Sequence, residues 1–210
     1  MTQINLTPSE NLLGNITNKV FAISLPRTGT KSLTKMMMIL GFSTKHCPSI
    51  HLEKFLNNDE YDFYADTPIY SKSIMVNLIH QPSNKFIYID RNIDSWCESF
   101  QKTKLDLAYI DYLSRDYNTM AKIGKLDRDC LHEFIGQPNL FIDNKWSSTD
   151  QLKDAFNMHK EYILSTIPSS QLLIYNFEQG WNPLCAFLEV PFIDMSIPHI
   201  NKGTLFEKIV

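Results

Sequence analysis

Val20-Phe21-Ala22-Ile23-Ser24-Leu25 is a nearly continuous apolar run. It lacks the apolar–polar alternation of a strand with one wet face, so it predicts a strand buried on both faces of a parallel sheet. The loop Pro26–Thr30 follows, and a helix-period pattern then covers roughly 30–40, with Leu33, Met36, Met37 and Leu40 as its inner face and Gly41 as its stop. A buried strand, a tight polar turn and a helix open the chain as a parallel α/β unit. That unit limits what the rest of the sequence can be.

The same alternation continues downstream. Phe42–His46 and Tyr61–Ala65 read as short strands, and Lys85–Asp90 and Gln171–Phe177 as further strands. Helical patterns occupy His51–Asn57, 69–80, about 93–104, Ser148–Ile167 with a polar cap at Ser148 or Thr149, and Trp181–Leu188. Residues 105–149 are mixed and read as mostly helical. Right-handed crossovers between such strands give a three-layer α/β/α architecture with a mostly parallel central sheet. Residues 1–18 are polar and read as an N-terminal arm to a single domain over 19–210, with helical acceptor-side insertions at about 44–80 and 103–150. Ligands of such sheets bind beyond the carboxyl ends of the strands, here those ending at Leu25, Ala65 and Ile89.

Composition narrows the partners. The 210 residues are 43% hydrophobic and 12% aromatic, enough for one packed domain, and the net charge is −3 with no long Lys/Arg run. Nucleic acid is therefore not an expected partner, whereas a small anion needs only a few focused cations. Cys47, Cys97, Cys130 and Cys185 form no CxxC pair and read as reduced thiols of a cytoplasmic protein, with no metal site. No apolar run is long enough to span a membrane, and the N-terminus lacks the pattern of a signal peptide.

The first loop has the chemistry of an oxyanion cradle. Gly29 permits close backbone approach, Thr28, Thr30 and Ser32 offer hydroxyl donors, Arg27 and Lys31 carry positive charge, and the following helix adds its N-terminal partial charge. The Walker A spacing is broken: Ser24 stands near the place of the first glycine, and Thr30 separates Gly29 from Lys31. A second candidate grip follows the strand at 85–90. Arg91 ends that strand, and Ser99 lies about two helical turns further on the same face, so the pair can hold one phosphate. The plainer alternative pairs Arg91 with Asp94 at the surface. Trp96 and Phe100 face either the core or a flat base.

Pro26-Arg27-Thr28-Gly29-Thr30, together with Arg91 and Ser99 eight positions later, resembles the sulfotransferases that use 3′-phosphoadenosine-5′-phosphosulfate (PAPS). The resemblance extends through Asp66-x-Pro68, the segment Gly180-Trp181-Asn182-Pro183-Leu184-Cys185 and Pro198-His199-x-Asn201, covering about 20–203. It implies a P-loop NTPase-like sulfotransferase fold of a compact branch. It also implies that Arg27, Thr28, Gly29, Thr30, Lys31 and Ser32 hold the donor's 5′ end. Arg91 and Ser99 would hold the 3′-phosphate, and Lys202-Gly203 would close over the nucleotide. Many relatives carry Lys where Arg27 stands. Arg keeps the charge but stays protonated, so it can stabilise a leaving phosphate without donating a proton.

The implied reaction is in-line sulfuryl transfer from PAPS, without a metal, to a hydroxyl or amine of a small-molecule or glycan acceptor. Asp66 is the first candidate for the base and His46 the second. The plainer alternatives are an N-cap role for Asp66 and a structural role for His46, with His159 and His199 structural too. Tyr64, Tyr70, Tyr109, Tyr112 and Trp146 line an acceptor pocket or fill the core. Two rivals stand beside this reading: a P-loop kinase of nucleotides or small molecules, and a non-catalytic sulfotransferase-like nucleotide-binding protein. Neither the acceptor nor the oligomeric state is legible in the sequence.

Overall fold

The structure, a computed structural model, describes residues 18–48, 60–101, 141–142, 145–146 and 148–198. The expected helix at His51–Asn57, together with Cys130, Tyr109, Tyr112, His199, Lys202 and Gly203, lies outside the described residues.

Seven strands and five α-helices are described. They are β1 (Val20–Ala22), α1 (Thr30–Ile39), β2 (Thr44–His46), β3 (Phe63–Ala65), α2 (Lys72–Ile79) and β4 (Lys85–Ile89). Next come α3 (93–101), β5 (Phe141–Ile142), β6 (Lys145–Trp146), α4 (Thr149–Thr166), β7 (Leu172–Tyr175) and α5 (Asn182–Leu188). Five strands form one all-parallel sheet in the order β2-β3-β1-β4-β7. β5 and β6 make a separate antiparallel pair, Phe141 opposite Trp146. That hairpin departs from the helical expectation for 105–149, because two-residue strands are too short to carry a period.

The sheet is covered on both faces, which makes the fold a three-layer α/β/α sandwich. Strand alternation sends Phe21, Ile23, Tyr64, Phe86 and Tyr88 to one side, where they meet Met75 and Leu78 of α2, Trp96 and Phe100 of α3, and Phe156 and Ile163 of α4. Val20, Ala22, Phe63, Ile87, Ile89 and Tyr175 go to the other, against Leu33, Met36 and Met37 of α1 and Leu184 and Leu188 of α5. Central β1 and β4 are thus buried on both faces, which is why their sequences run apolar without alternating. Tyr64 and Tyr70 are fully buried and belong to the first core. Trp96 and Phe100 also belong to it, their rings packing 5.0 Å apart. Cys97 and Cys185 are buried thiols, one in each core.

Helix ends follow local chemistry. Gly41, at φ +91°, lets the Phe42 amide reach back to Met37 O and its own amide to Met38 O, the two bonds of a Schellman stop. Ser148 caps α4, its hydroxyl accepting from the Gln151 amide while the Gln151 side chain accepts from the Ser148 amide. His159 of α4 is fully buried beside the rings of Tyr70 and Tyr88. Burial pushes its pKa down to about 3, outweighing the backbone groups of Ile23 and Tyr70 that favour the charged form. No described helix is long and apolar enough to cross a membrane.

Candidate active site

In strand order the chain leaves β1 towards β2 on one side and leaves β4 towards β7 on the other. The carboxyl ends of β1 and β4 therefore face a crevice from which the loops diverge. The turn after β1 is shaped by its neighbours. Ser24, near where a Walker loop would carry its first glycine, accepts the Ile89 amide at 2.5 Å and so ties the turn to the end of β4. Trp96 Nε1 donates to Pro26 O at 2.8 Å. Arg27 takes φ +70°, a left-handed conformation that costs a non-glycine residue of order 1 kcal/mol or more. Its carbonyl accepts from Nη1 of Arg91.

The two sequence-predicted grips are therefore one cluster. Besides the Arg91–Arg27 contact, Arg27 Nε donates to Ser99 Oγ at 3.3 Å. Arg91 is half-buried, and its pKa is held below the ordinary arginine value by burial first and by the Arg27 charge second. The surface alternative for Arg91 does not occur: Asp94 is bound by Lys153 at 2.6 Å, and Asp90 by Lys160 at 2.8 Å. Among the described residues neither guanidinium is in an ion pair. Two partly exposed cations held side by side, with the neighbouring carboxylates occupied elsewhere, repel one another in a way that an anion between them would relieve.

Gly29 stands at the N-cap of α1 with φ +114° and provides no side-chain cap to the first-turn amides. That leaves the helix N-terminus to an anion. The Phe177 ring covers Gly29 so closely that a β-carbon there would lie 2.6 Å from its Cε2. Lys31 is exposed at the first turn and Ser32 is buried. The hydroxyls of Thr28 and Thr30 differ from the sequence expectation. Thr28 Oγ1 donates to Leu25 O at 2.8 Å and Thr30 Oγ1 to Asp66 Oδ2 at 3.0 Å, so both protons point into the protein. Each hydroxyl has only one proton to give, so in this state neither threonine directs one towards a ligand.

The two candidate bases also prove to be neighbours. β2 pairs with β3 so that His46 stands opposite Ala65, which puts Asp66 beside it. His46 Nε2 lies 3.1 Å from Asp66 Oδ2, and both side chains are mostly buried, at 20% and 16% exposure. Asp66 does not cap α2, whose N-cap is Ser71. At φ +71° its carboxylate instead accepts the Thr67 amide at 2.9 Å and the Thr67 hydroxyl at 3.3 Å on Oδ1. Burial alone would raise its pKa. The His46 hydrogen bond and charge, the Thr67 amide and the Thr30 hydroxyl outweigh that and hold it below the usual carboxylate value. Chemically this is a mostly buried carboxylate–imidazole pair, tied through Thr30 to the first turn of α1.

Sequence reasoning did not foresee the roles of Ser24, Trp96 and Phe177. Trp96 and Phe177 act on the loop from distant segments, and Ser24, beside the loop, acts through the distant Ile89; the only signal in the sequence was that they flank the strand ends.

Residues 52–206 match the family model described as a sulfotransferase domain. That span takes in Asp66, Arg91 and Ser99 and begins beyond the Pro26–Ser32 loop. The chain is also 26% identical over 218 residues to Ava biosynthesis cluster protein M of Aspergillus versicolor, an alignment covering 87% of this chain and 80% of that protein. With its parallel sandwich, its paired arginines at the strand ends and a family match over most of its length, the chain belongs to the sulfotransferase family.

Proposed function

We propose that the sulfuryl donor is PAPS and that the chain transfers its sulfuryl group to a hydroxyl or amine of a small-molecule or glycan acceptor. The observation that carries this reading is the Arg27–Arg91–Ser99 cluster, joined through Arg27 to the N-terminus of α1. A donor with a phosphate at each end needs two anion grips a short distance apart. Here one grip is the loop with the helix N-terminus, and the other is the guanidinium and hydroxyl that follow β4.

In this reading the amides of Gly29, Thr30, Lys31 and Ser32 hold the 5′-phosphosulfate, with Lys31 as a nearby charge. Arg91 and Ser99 hold the 3′-phosphate, and Lys202 and Gly203 close the nucleotide side. Arg27 lies between the grips and stabilises the negative charge that develops on the departing phosphate; it does not protonate it. The sulfur–oxygen bond to the phosphate breaks as the acceptor oxygen or nitrogen bonds to sulfur from the opposite side. The acceptor's proton passes to the Asp66–His46 pair. Because Thr67, Thr30 and His46 already engage Asp66, the carboxylate serves best by orienting and charging the imidazole, and His46 takes the proton.

Isothermal titration with adenosine 3′,5′-bisphosphate tests the donor assignment. Wild type is expected to bind, and Arg91→Ala to lose about 10- to 100-fold in affinity, the range for one charged hydrogen-bonding partner. Absence of binding to wild type overturns the PAPS reading.

A further inference from the structure

Thr30 stands where two groups compete for one proton. Its Oγ1 donates to Asp66 Oδ2 at 3.0 Å and lies 3.1 Å from His46 Nε2, which is itself 3.1 Å from the same carboxylate oxygen. With the hydroxyl proton given to Asp66, the contact with His46 requires the imidazole Nε2–H as donor. The three side chains form a closed triangle linking α1, the end of β2 and the turn after β3. Thr30 is also the first residue of α1, next to Gly29, so the same hydroxyl borders the helix N-terminus at which an anion docks. A threonine in a helix has two accessible χ1 rotamers, so rotation about one bond re-aims the hydroxyl.

We propose that Thr30 is a positioning residue that couples occupancy of the phosphate loop to the Asp66–His46 pair: when a nucleotide phosphate binds at the start of α1, the Thr30 hydroxyl turns its proton from Asp66 Oδ2 to a phosphate oxygen. The inference rests on the nucleotide-donor reading given above. No covalent bond changes. Asp66 loses one hydrogen-bond donor and keeps Thr67 on Oδ1 and His46 on Oδ2. A carboxylate with fewer donors holds a proton more tightly, so the pair becomes a stronger base only once the donor is in place. The groups facing Asp66 are His46 from β2, Thr30 from α1 and Thr67 from its own turn. By linkage, the nucleotide binds the protonated pair more tightly by the same factor.

Histidine side-chain NMR titrations of the full chain, with and without saturating adenosine 3′,5′-bisphosphate, read this coupling at His46. In wild type and in Thr30→Ser, which keeps the hydroxyl, the nucleotide is expected to raise the pair's apparent pKa. That rise should exceed the one in Thr30→Val by about one pH unit, a tenfold change in proton affinity. Thr30→Ala is a second hydroxyl-free variant should valine disturb folding, and it is expected to behave as Thr30→Val. An equal rise in all variants overturns the switch and leaves the donor assignment standing. Failure of wild type to bind the nucleotide overturns both.

Discussion

Gly29→Ala probes how the anion loop is held. At φ +114° and ψ 19° the Gly29 backbone lies where side-chain-bearing residues are rarely found, and an added β-carbon falls 2.6 Å from Phe177 Cε2 and 3.0 Å from Cζ. The backbone cost is about 1–3 kcal/mol. Pushing aside a ring that also packs edge-on against Tyr175, at 5.4 Å between centroids, costs about 1–3 kcal/mol more. The sum is about 2–6 kcal/mol, and in a chain of 210 residues each kcal/mol lowers Tm by about 2–4 °C, so melting is expected to fall by roughly 4–24 °C. Only the second cost involves Phe177, so urea denaturation of Gly29→Ala, Phe177→Ala and the double variant separates the two. In the Phe177→Ala background the glycine substitution should cost about 1–3 kcal/mol less than in wild type. An equal cost in both backgrounds shows that the ring does not restrict the loop. A cost below about 0.5 kcal/mol in wild type refutes the backbone argument as well.

Four further outcomes are expected. Arg91→Lys keeps a charge but loses the guanidinium fork, so affinity for adenosine 3′,5′-bisphosphate should drop at least about tenfold by titration calorimetry; wild-type affinity would mean that charge alone suffices. Asp66→Asn should retain nucleotide binding and lower acceptor turnover about 100-fold or more, and unchanged turnover removes the pair from catalysis. His159 is neutral when folded and titrates at its ordinary value of 6.5 when unfolded, so the unfolded chain binds the extra proton as pH falls. Stability contributed by this residue should then decline by about 1.4 kcal/mol per pH unit below 6.5 until the folded pKa of about 3, and His159→Leu should flatten that slope in urea midpoints taken across the range. Ser148→Ala removes the cap of α4 and should cost about 1 kcal/mol in the same assay, with Ser148→Asn largely neutral.

The parts of the fold that were legible in the sequence are those whose cause is local. β1 and β4 announce themselves because strands buried on both faces must be apolar along their length, β7 because its short apolar run is flanked by polar turns, and α1 and α4 because Gly41 and the polar cap at Ser148 mark their ends. The β5–β6 hairpin was not legible, since two residues per strand carry no period. The site divides in the same way. The residue types of the loop, Arg91 and Ser99 could be read, because anion chemistry needs those groups at a strand end. Their arrangement could not. His46 and Asp66 meet only because β2 lies beside β3 in a particular register, and the sequence offered them as alternatives when the structure joins them. Arg27 reaches Ser99 across 72 positions. The inward turn of the Thr28 and Thr30 hydroxyls depends on acceptors, Leu25 O and Asp66 Oδ2, whose directions only the folded chain sets.

The ring of Phe177 over Gly29 has a consequence for how the molecule comes into being. Gly29 belongs to the first loop of the domain, whereas Phe177 follows β7, the last strand of the sheet to be made, which docks on the edge of β4. A chain emerging from the ribosome has its loop, both arginines and Ser99 long before it has the side chain that packs the loop from behind. The first loop therefore reaches its final shape only when the carboxyl-terminal third has been synthesised and paired. Long-range parallel pairing of this kind is a slow step in folding, and it places completion of the first loop at the end of assembly, after the sheet has accepted its final strand.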